Sequence, residues 1–206
     1  MRLKTSKTEI DHLWKAWLAI SIAFAIVLGG GFSVSLFSFK FLLNIIFAAF
    51  TVGIGFLLHE LSHKLTAQHF GYWSEFRANF QMLFLMIVMS FLGFVFAAPG
   101  ATMIAGRVEK NKYGMISAAG PLINIFLALI FLGLSFATPF SFITVFALYG
   151  LLINSWLALF NMIPFGILDG AKVIRWNVIA YALIVIASLA LVMVGNSLIK
   201  NVAMLV

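Results

Sequence analysis

Apolar runs long enough to cross a lipid bilayer recur along this chain, and they constrain its fold more than any other feature. They cover Leu13 to Gly31, Leu36 to Leu58, Phe80 to Ala98, Met115 to Ala137, Phe140 to Ile163 and about Val178 to Val194, with room to extend to Val206. Several reach the ~20 residues that a helix needs to span the hydrocarbon core. Of 206 residues, 64% are hydrophobic and 9% are charged, against about half and about a quarter in a soluble domain. So little polar surface cannot cover so much apolar side chain, and lipid must be the solvent for much of the molecule. The expected fold is an all-α integral membrane bundle of about five to six transmembrane helices, with room for a re-entrant segment near 80–106. No internal repeat, linker or soluble module interrupts it, so residues 1–206 read as one membrane domain.

The net charge is +7, but the basic residues lie in short segments between apolar runs. They read as topology signals, and no nucleic-acid partner is expected. The chain has no cysteine, which excludes disulfides and thiolate metal ligands. The first apolar run is too long for a signal-peptide core and reads as retained.

Ionised groups are costly beside lipid, so the six acidic residues carry information. Glu9 and Asp11 fall in a polar N-terminal tail, and Glu75 and Glu109 in polar loops. Glu60 and Asp169 remain, each at the end of a long apolar helix. Glu60 is flanked by His59 and His63, in the spacing His-Glu-x-x-His. Residues at i and i+4 lie one above the other on a helix, so both imidazoles can ligate one metal, and Glu60 is placed to activate water beside it. A zinc site needs a third protein ligand and an open position. His69 stands ten residues after His59, but Thr66 occupies the place where a helix-breaking glycine would be needed. On a continued helix His69 lies about 15 Å along the axis from His59 and misses the metal. Asp169, in a turn rich in proline and glycine, is the better candidate. His12 reads as an interfacial tail residue.

Asp169 can reach the histidines only if both lie on one side of the membrane. The segment Phe80 to Ala98 must then re-enter and return, or lie at the interface, which leaves five spans. The basic residues agree. Without that crossing, Arg2, Lys4, Lys7, Lys15, Lys64, Arg77, Arg107, Lys110, Lys112, Lys172 and Arg175 share one side. The loops opposite, Gly31 to Ser35 and Thr138-Pro139, are uncharged. The positive-inside rule then puts the N-terminus and the site toward the cytoplasm.

Together these residues resemble the site-2 protease family of intramembrane zinc metalloproteases. The resemblance rests on His59-Glu60-Leu61-Ser62-His63 and on Asn161-Met-Ile-Pro164-Phe-Gly-Ile-Leu168-Asp169-Gly170, similar to the family's Asn-x-x-Pro-x-Pro-x-Leu-Asp-Gly motif. The segment Gly120-Pro121-Leu-Ile-Asn124 adds to it, and the whole covers a catalytic core of about residues 36–175. Gly166 departs from the pattern, standing where the family usually has a second proline. The apolar Phe80 to Ala98 stretch also departs, where many members have a short β-hairpin. The resemblance implies one zinc ion per chain, held by His59, His63 and Asp169, with Glu60 as general base. Asn161 and Asn124 map to polar positions that orient substrate or stabilise the oxyanion. It also implies cleavage of membrane-anchored protein substrates within the bilayer of a prokaryotic cell membrane. A substrate helix must unwind before attack, and an extended part of Ala97 to Gly106 is suited to pair with it by edge addition. The rivals are a membrane metal transporter, which has little use for Glu60 between two ligands, and an inactive scaffold of the same fold. A haem site is excluded by geometry, because i and i+4 histidines cannot take opposite faces of one ring.

Overall fold

The computed structural model describes residues 4–33, 36, 38–95, 99–137 and 142–203. Its elements in chain order are α1 (Lys7–Leu28), α2 (Phe39–Ala48), a π turn (Ala49–Gly53), α3 (Ile54–His69), β1 (Ser74–Ala78), α4 (Phe80–Phe91), β2 (Gly100–Ile104), α5 (Lys110–Ala137), α6 (Phe142–Asn161), α7 (Gly170–Trp176) and α8 (Val178–Ala203). Among the described residues, five helical stretches are long and apolar enough to cross a membrane: Lys7–Leu28, Phe39–His69, Lys110–Ala137, Phe142–Asn161 and Val178–Asn201. Their outward faces carry large exposed apolar side chains such as Phe142, Ile186 and Met193, as a lipid-facing surface requires. The loop at Thr138-Pro139 lies outside the described residues, as do Val34, Ser35 and 96–98.

The third apolar run does not make a span. Helix α4 has 12 residues, about 18 Å at 1.5 Å per residue, well short of the hydrocarbon core. Strands β1 and β2 bracket it as an antiparallel pair, with Ser74 opposite Ile104 and Ala78 opposite Gly100. Asn79 N–H donates to the Pro99 carbonyl at 3.0 Å, so the excursion leaves and rejoins the fold at one hydrogen-bonded pair. Five spans with a returning arm is the arrangement that bringing Asp169 to the histidines demands. The arm is carried on a two-stranded sheet, so this chain has the extended pair that the apolar Phe80 to Ala98 stretch argued against.

Helix α3 lies in the middle of the bundle. On one side α1, the π turn, β1 and α4 pack around Ile20, Val52, Phe56, Phe76 and Met86. On the other, α5, α6 and α8 close over Ala128, Leu148, Leu151 and Leu191. Gly150 lets α5 and α6 approach: a Cβ there would stand 2.5 Å from the Phe131 ring. The π turn joins α2 and α3 into one span, and its neighbours meet the backbone it disturbs. Trp17 Nε1 donates to the Ala49 carbonyl at 3.1 Å, and Thr51 Oγ1 donates to the Phe47 carbonyl at 2.8 Å.

The N-terminus corrects the reading of residues 1–11 as a polar tail. Ser6 caps α1 by accepting from Glu9 N–H at 3.1 Å, so the helix begins at Lys7. Glu9 is fully buried. Its carboxylate pairs with Lys64 Nζ at 2.5 Å and accepts from Phe76 N–H at 3.0 Å. His12 is also engaged: its Nδ1 accepts from Ala78 N–H at 3.1 Å.

Candidate metal centre

Helix α3 delivers His59, Glu60 and His63, all buried, from consecutive turns. Across from them α5 passes at Gly120. A Cβ on Gly120 would lie 2.5 Å from His63 Nε2 and 2.6 Å from His59 Nε2, so no larger residue leaves space for both rings. This gives Gly120 a definite role, which is to make room on the face where the two imidazoles meet.

The outer nitrogens of both rings are fixed. His63 Nδ1 lies 2.8 Å from the Ile116 carbonyl, which can only accept, so Nδ1 carries the proton. His59 Nδ1 lies 2.6 Å from Asn124 Oδ1. The Asn124 amide nitrogen donates to the Gly55 carbonyl and to Asn154 Oδ1, each at 3.1 Å, which orients its oxygen toward His59. The amide of Asn154 in turn donates to the Gly150 carbonyl at 2.9 Å. A chain of amides from α6 through α5 thus sets the tautomer of His59, as the outer partners of metal-binding histidines commonly do.

Asp169 arrives from the turn after α6. Its main-chain carbonyl caps α7, accepting from Lys172 and Val173 N–H at 2.9 and 3.0 Å. Its side chain takes no part in the cap and is free to point at the histidines. Gly170 makes the approach possible, since a Cβ there would stand 2.1 Å from the Met162 carbonyl oxygen. Gly166 has φ +62°, which proline cannot adopt, so this turn takes a course that a second proline would forbid.

With both Nδ1 atoms committed to protein acceptors, the two rings turn Nε2 into the site. These two nitrogens face each other at 3.0 Å, and each lies 3.2 Å from Asp169 Oδ2. Three basic atoms this close require a positive charge among them, supplied by a proton or by a metal ion. The edge of a tetrahedron around zinc with ~2.0–2.1 Å bonds is about 3.4 Å, close to the spacing seen. Among the described residues, His59, His63 and Asp169 form a group able to hold a metal ion, their ligand atoms within 4.8 Å of one another. Burial alone would raise the Asp169 carboxyl, but the His63 and His59 rings beside it hold it below the usual carboxylate range.

Glu60 is held by β2. Thr102 N–H donates to Glu60 Oε2 at 2.9 Å. Thr102 Oγ1 lies 2.9 Å from the same oxygen and 2.9 Å from the Glu60 carbonyl. Lys172 stands nearby, its ammonium donating to the Ile167 carbonyl. Burial lowers its pKa, and the Asp169 and Glu60 carboxylates partly offset this.

The other sequence candidates fall elsewhere. Asn161 donates to the Leu157 carbonyl of its own helix at 2.9 Å. His69 is exposed on the last turn of α3, which continues unbroken past the position of Thr66. Thr102 and Asn154 are not among the sequence candidates, and Lys172 enters there only as a topology signal. Asn154 carried a signal, as an amide in the middle of an apolar span. Thr102 carried none, because its place depends on strand register.

Comparison with known proteins adds to this geometry. The chain is 38% identical, over 182 residues, to a protein of Methanocaldococcus jannaschii named "Putative zinc metalloprotease", and the match covers 87% of this chain and 90% of that relative. No protein-family model matches the chain, and no solved structure matches it.

Proposed function

The chain belongs to the family of that zinc metalloprotease, and from this premise we propose that it is an intramembrane protease of the site-2 type, cutting membrane-anchored protein substrates. The observation that carries the reading is the convergence of two imidazole nitrogens and one carboxylate oxygen within 4.8 Å, with a glutamate on the same helix between the histidines. His59, His63 and Asp169 would hold one zinc ion. When bound, zinc supplies a Lewis acid for the scissile carbonyl and for the water that attacks it.

The chain's own residues supply the rest. Asn124 keeps the His59 proton on Nδ1 and so keeps Nε2 free as a ligand. Glu60 takes the proton of the attacking water and returns it to the departing amine. A transmembrane substrate must first unwind, because its carbonyls are tied up within its own helix. The outer edge of β2, beside Glu60, suits an unwound segment, which would gain main-chain hydrogen bonds there. The five apolar helices support a multi-pass membrane protein. The basic loops support a cytoplasmic N-terminus and site, in the cell membrane of a prokaryote.

The test measures bound zinc and proteolysis of a model transmembrane substrate in wild type, Glu60→Gln and Asp169→Ala. Wild type is expected to carry one zinc and cleave, Glu60→Gln to keep zinc without cleaving, and Asp169→Ala to lose zinc. A wild type without zinc, or a Glu60→Gln variant that cleaves normally, overturns the reading.

A further inference from the structure

The two outer edges of the β1–β2 sheet are blocked in the same way. Phe76 and Thr102 stand opposite each other, with their main-chain groups pointing away from one another. On the β1 side, Phe76 N–H is taken by Glu9 Oε1 at 3.0 Å and Ala78 N–H by His12 Nδ1 at 3.1 Å. On the β2 side, Thr102 N–H is taken by Glu60 Oε2 at 2.9 Å. Glu9 is fully buried and bound to Lys64, so its edge is permanently closed. The group on the β2 edge is instead the carboxylate that the protease reading makes the general base.

A strand adding to β2 bonds to the outward-pointing groups of alternate residues, here Gly100, Thr102 and Ile104. Thr102 is the middle of the three, and an added strand in full register needs its N–H. We propose that Glu60 plugs the substrate-pairing edge of β2, so that docking of an extended peptide strand and release of the Glu60 carboxylate toward the metal centre are a single exchange at Thr102 N–H. Before docking, the base is tied to β2 by the Thr102 amide and hydroxyl. A docked strand takes the amide, and Glu60 leaves for the water it must deprotonate. A peptide strand brings its carbonyl to Thr102 N–H in the register of the sheet, so docking and presentation of the base are linked.

The proposal rests on the protease reading of Glu60 but is tested apart from cleavage. The full-length protein is stripped of zinc in detergent. It is titrated with a fluorescein-labelled, valine-rich decapeptide whose central amide is replaced by a methyleneamine, so that it cannot be hydrolysed. Glu60→Ala, which removes the plug, is expected to bind this peptide about tenfold tighter than wild type, the size of one lost charge-assisted hydrogen bond. Glu60→Gln, which keeps an acceptor oxygen, is expected to bind within about threefold of wild type. Thr102→Val keeps the amide and loses the hydroxyl, and is expected to bind about threefold tighter than wild type. In hydrogen exchange, the residue 102 amide should exchange about tenfold faster in peptide-free Glu60→Ala than in wild type, and regain protection when peptide is added. A peptide N-methylated on alternate amides, which cannot pair, should show no preference for Glu60→Ala. Equal affinities across the variants, with wild type still cleaving its substrate, overturn the plug and leave the protease reading intact. Tighter binding by Glu60→Ala, when wild type neither holds zinc nor cleaves, sustains the plugged edge and overturns the protease reading.

Discussion

Helix α3 carries two buried polar clusters on successive residues, and they differ in one respect that matters. Lys64 faces α1, where its ammonium meets Glu9 at 2.5 Å and Thr5 Oγ1 at 2.8 Å, while the second oxygen of Glu9 receives Phe76 N–H. Charge is balanced there and the groups have partners, so nothing is offered to a ligand. His63, one residue earlier, faces α5. There each ring is tied to a protein group at Nδ1 and turns Nε2 toward the other ring and Asp169, so three potential ligand atoms gather at one point. The first cluster is closed and the second is open. Both are buried and both tie helices together, so burial and connectivity do not separate a structural cluster from a chemical one. What separates them is whether the donors and acceptors sum to completion within the protein.

The contrast makes predictions that run from large to small. Gly120→Ala should abolish zinc binding, because its methyl would stand 2.5–2.6 Å from both Nε2 atoms. Metal analysis of the purified variant should find none, with the helical circular dichroism of wild type retained. Lys64→Met leaves Glu9 as a buried carboxylate without its counter-charge and should cost about 3–5 kcal/mol of stability. A denaturant melt would measure this, and the double variant Glu9→Gln/Lys64→Met should recover much of the loss. Zinc affinity in the folded fraction should stay at the wild-type level. If it collapses, the two clusters are not separable. Asn124→Leu attacks the open cluster from behind and should weaken zinc about 10–100-fold in a competition titration with a chelator. The weakest effect is expected of Asn154→Leu, one amide further out. It should destabilise the bundle by about 0.6 kcal/mol, a typical value for a hydrogen bond between membrane helices, and change zinc affinity less than Asn124→Leu does.

Local spacing made the open cluster legible in the sequence. His59, Glu60 and His63 needed only the helical repeat, and Asp169 needed only a turn after an apolar span. Run lengths offered six candidate spans, and requiring Asp169 and the histidines on one side reduced them to five with a returning arm. The closed cluster was hidden because its two halves stand 55 residues apart and Glu9 lay in a charged stretch that read as a tail. A local signal was present even so. Ser6-Lys7-Thr8-Glu9 has the spacing of a capping box, and Ser6 does cap α1, although the Glu9 carboxylate goes to Lys64 and Phe76. Strand β1 was hidden for a different reason. A five-residue edge pair acquires its meaning from its partner, and that partner is separated from it by an apolar helix that looked like a span.

The π turn at Ala49–Gly53 carries a consequence for sequence change. One residue more than an α-helical turn requires is stored there, and one residue corresponds to about 100° of rotation around a helix axis. Everything after the turn is therefore offset in phase from everything before it. Losing a residue between 49 and 53 would shorten the span by a fraction of its length, yet would swing His59, Glu60 and His63 together toward a different neighbour. The lipid-facing half of this helix and its buried half thus keep separate angular origins. A comparison of related chains should find substitutions freely exchanged within each half, and single-residue gaps across the turn accompanied by loss of the histidine pair.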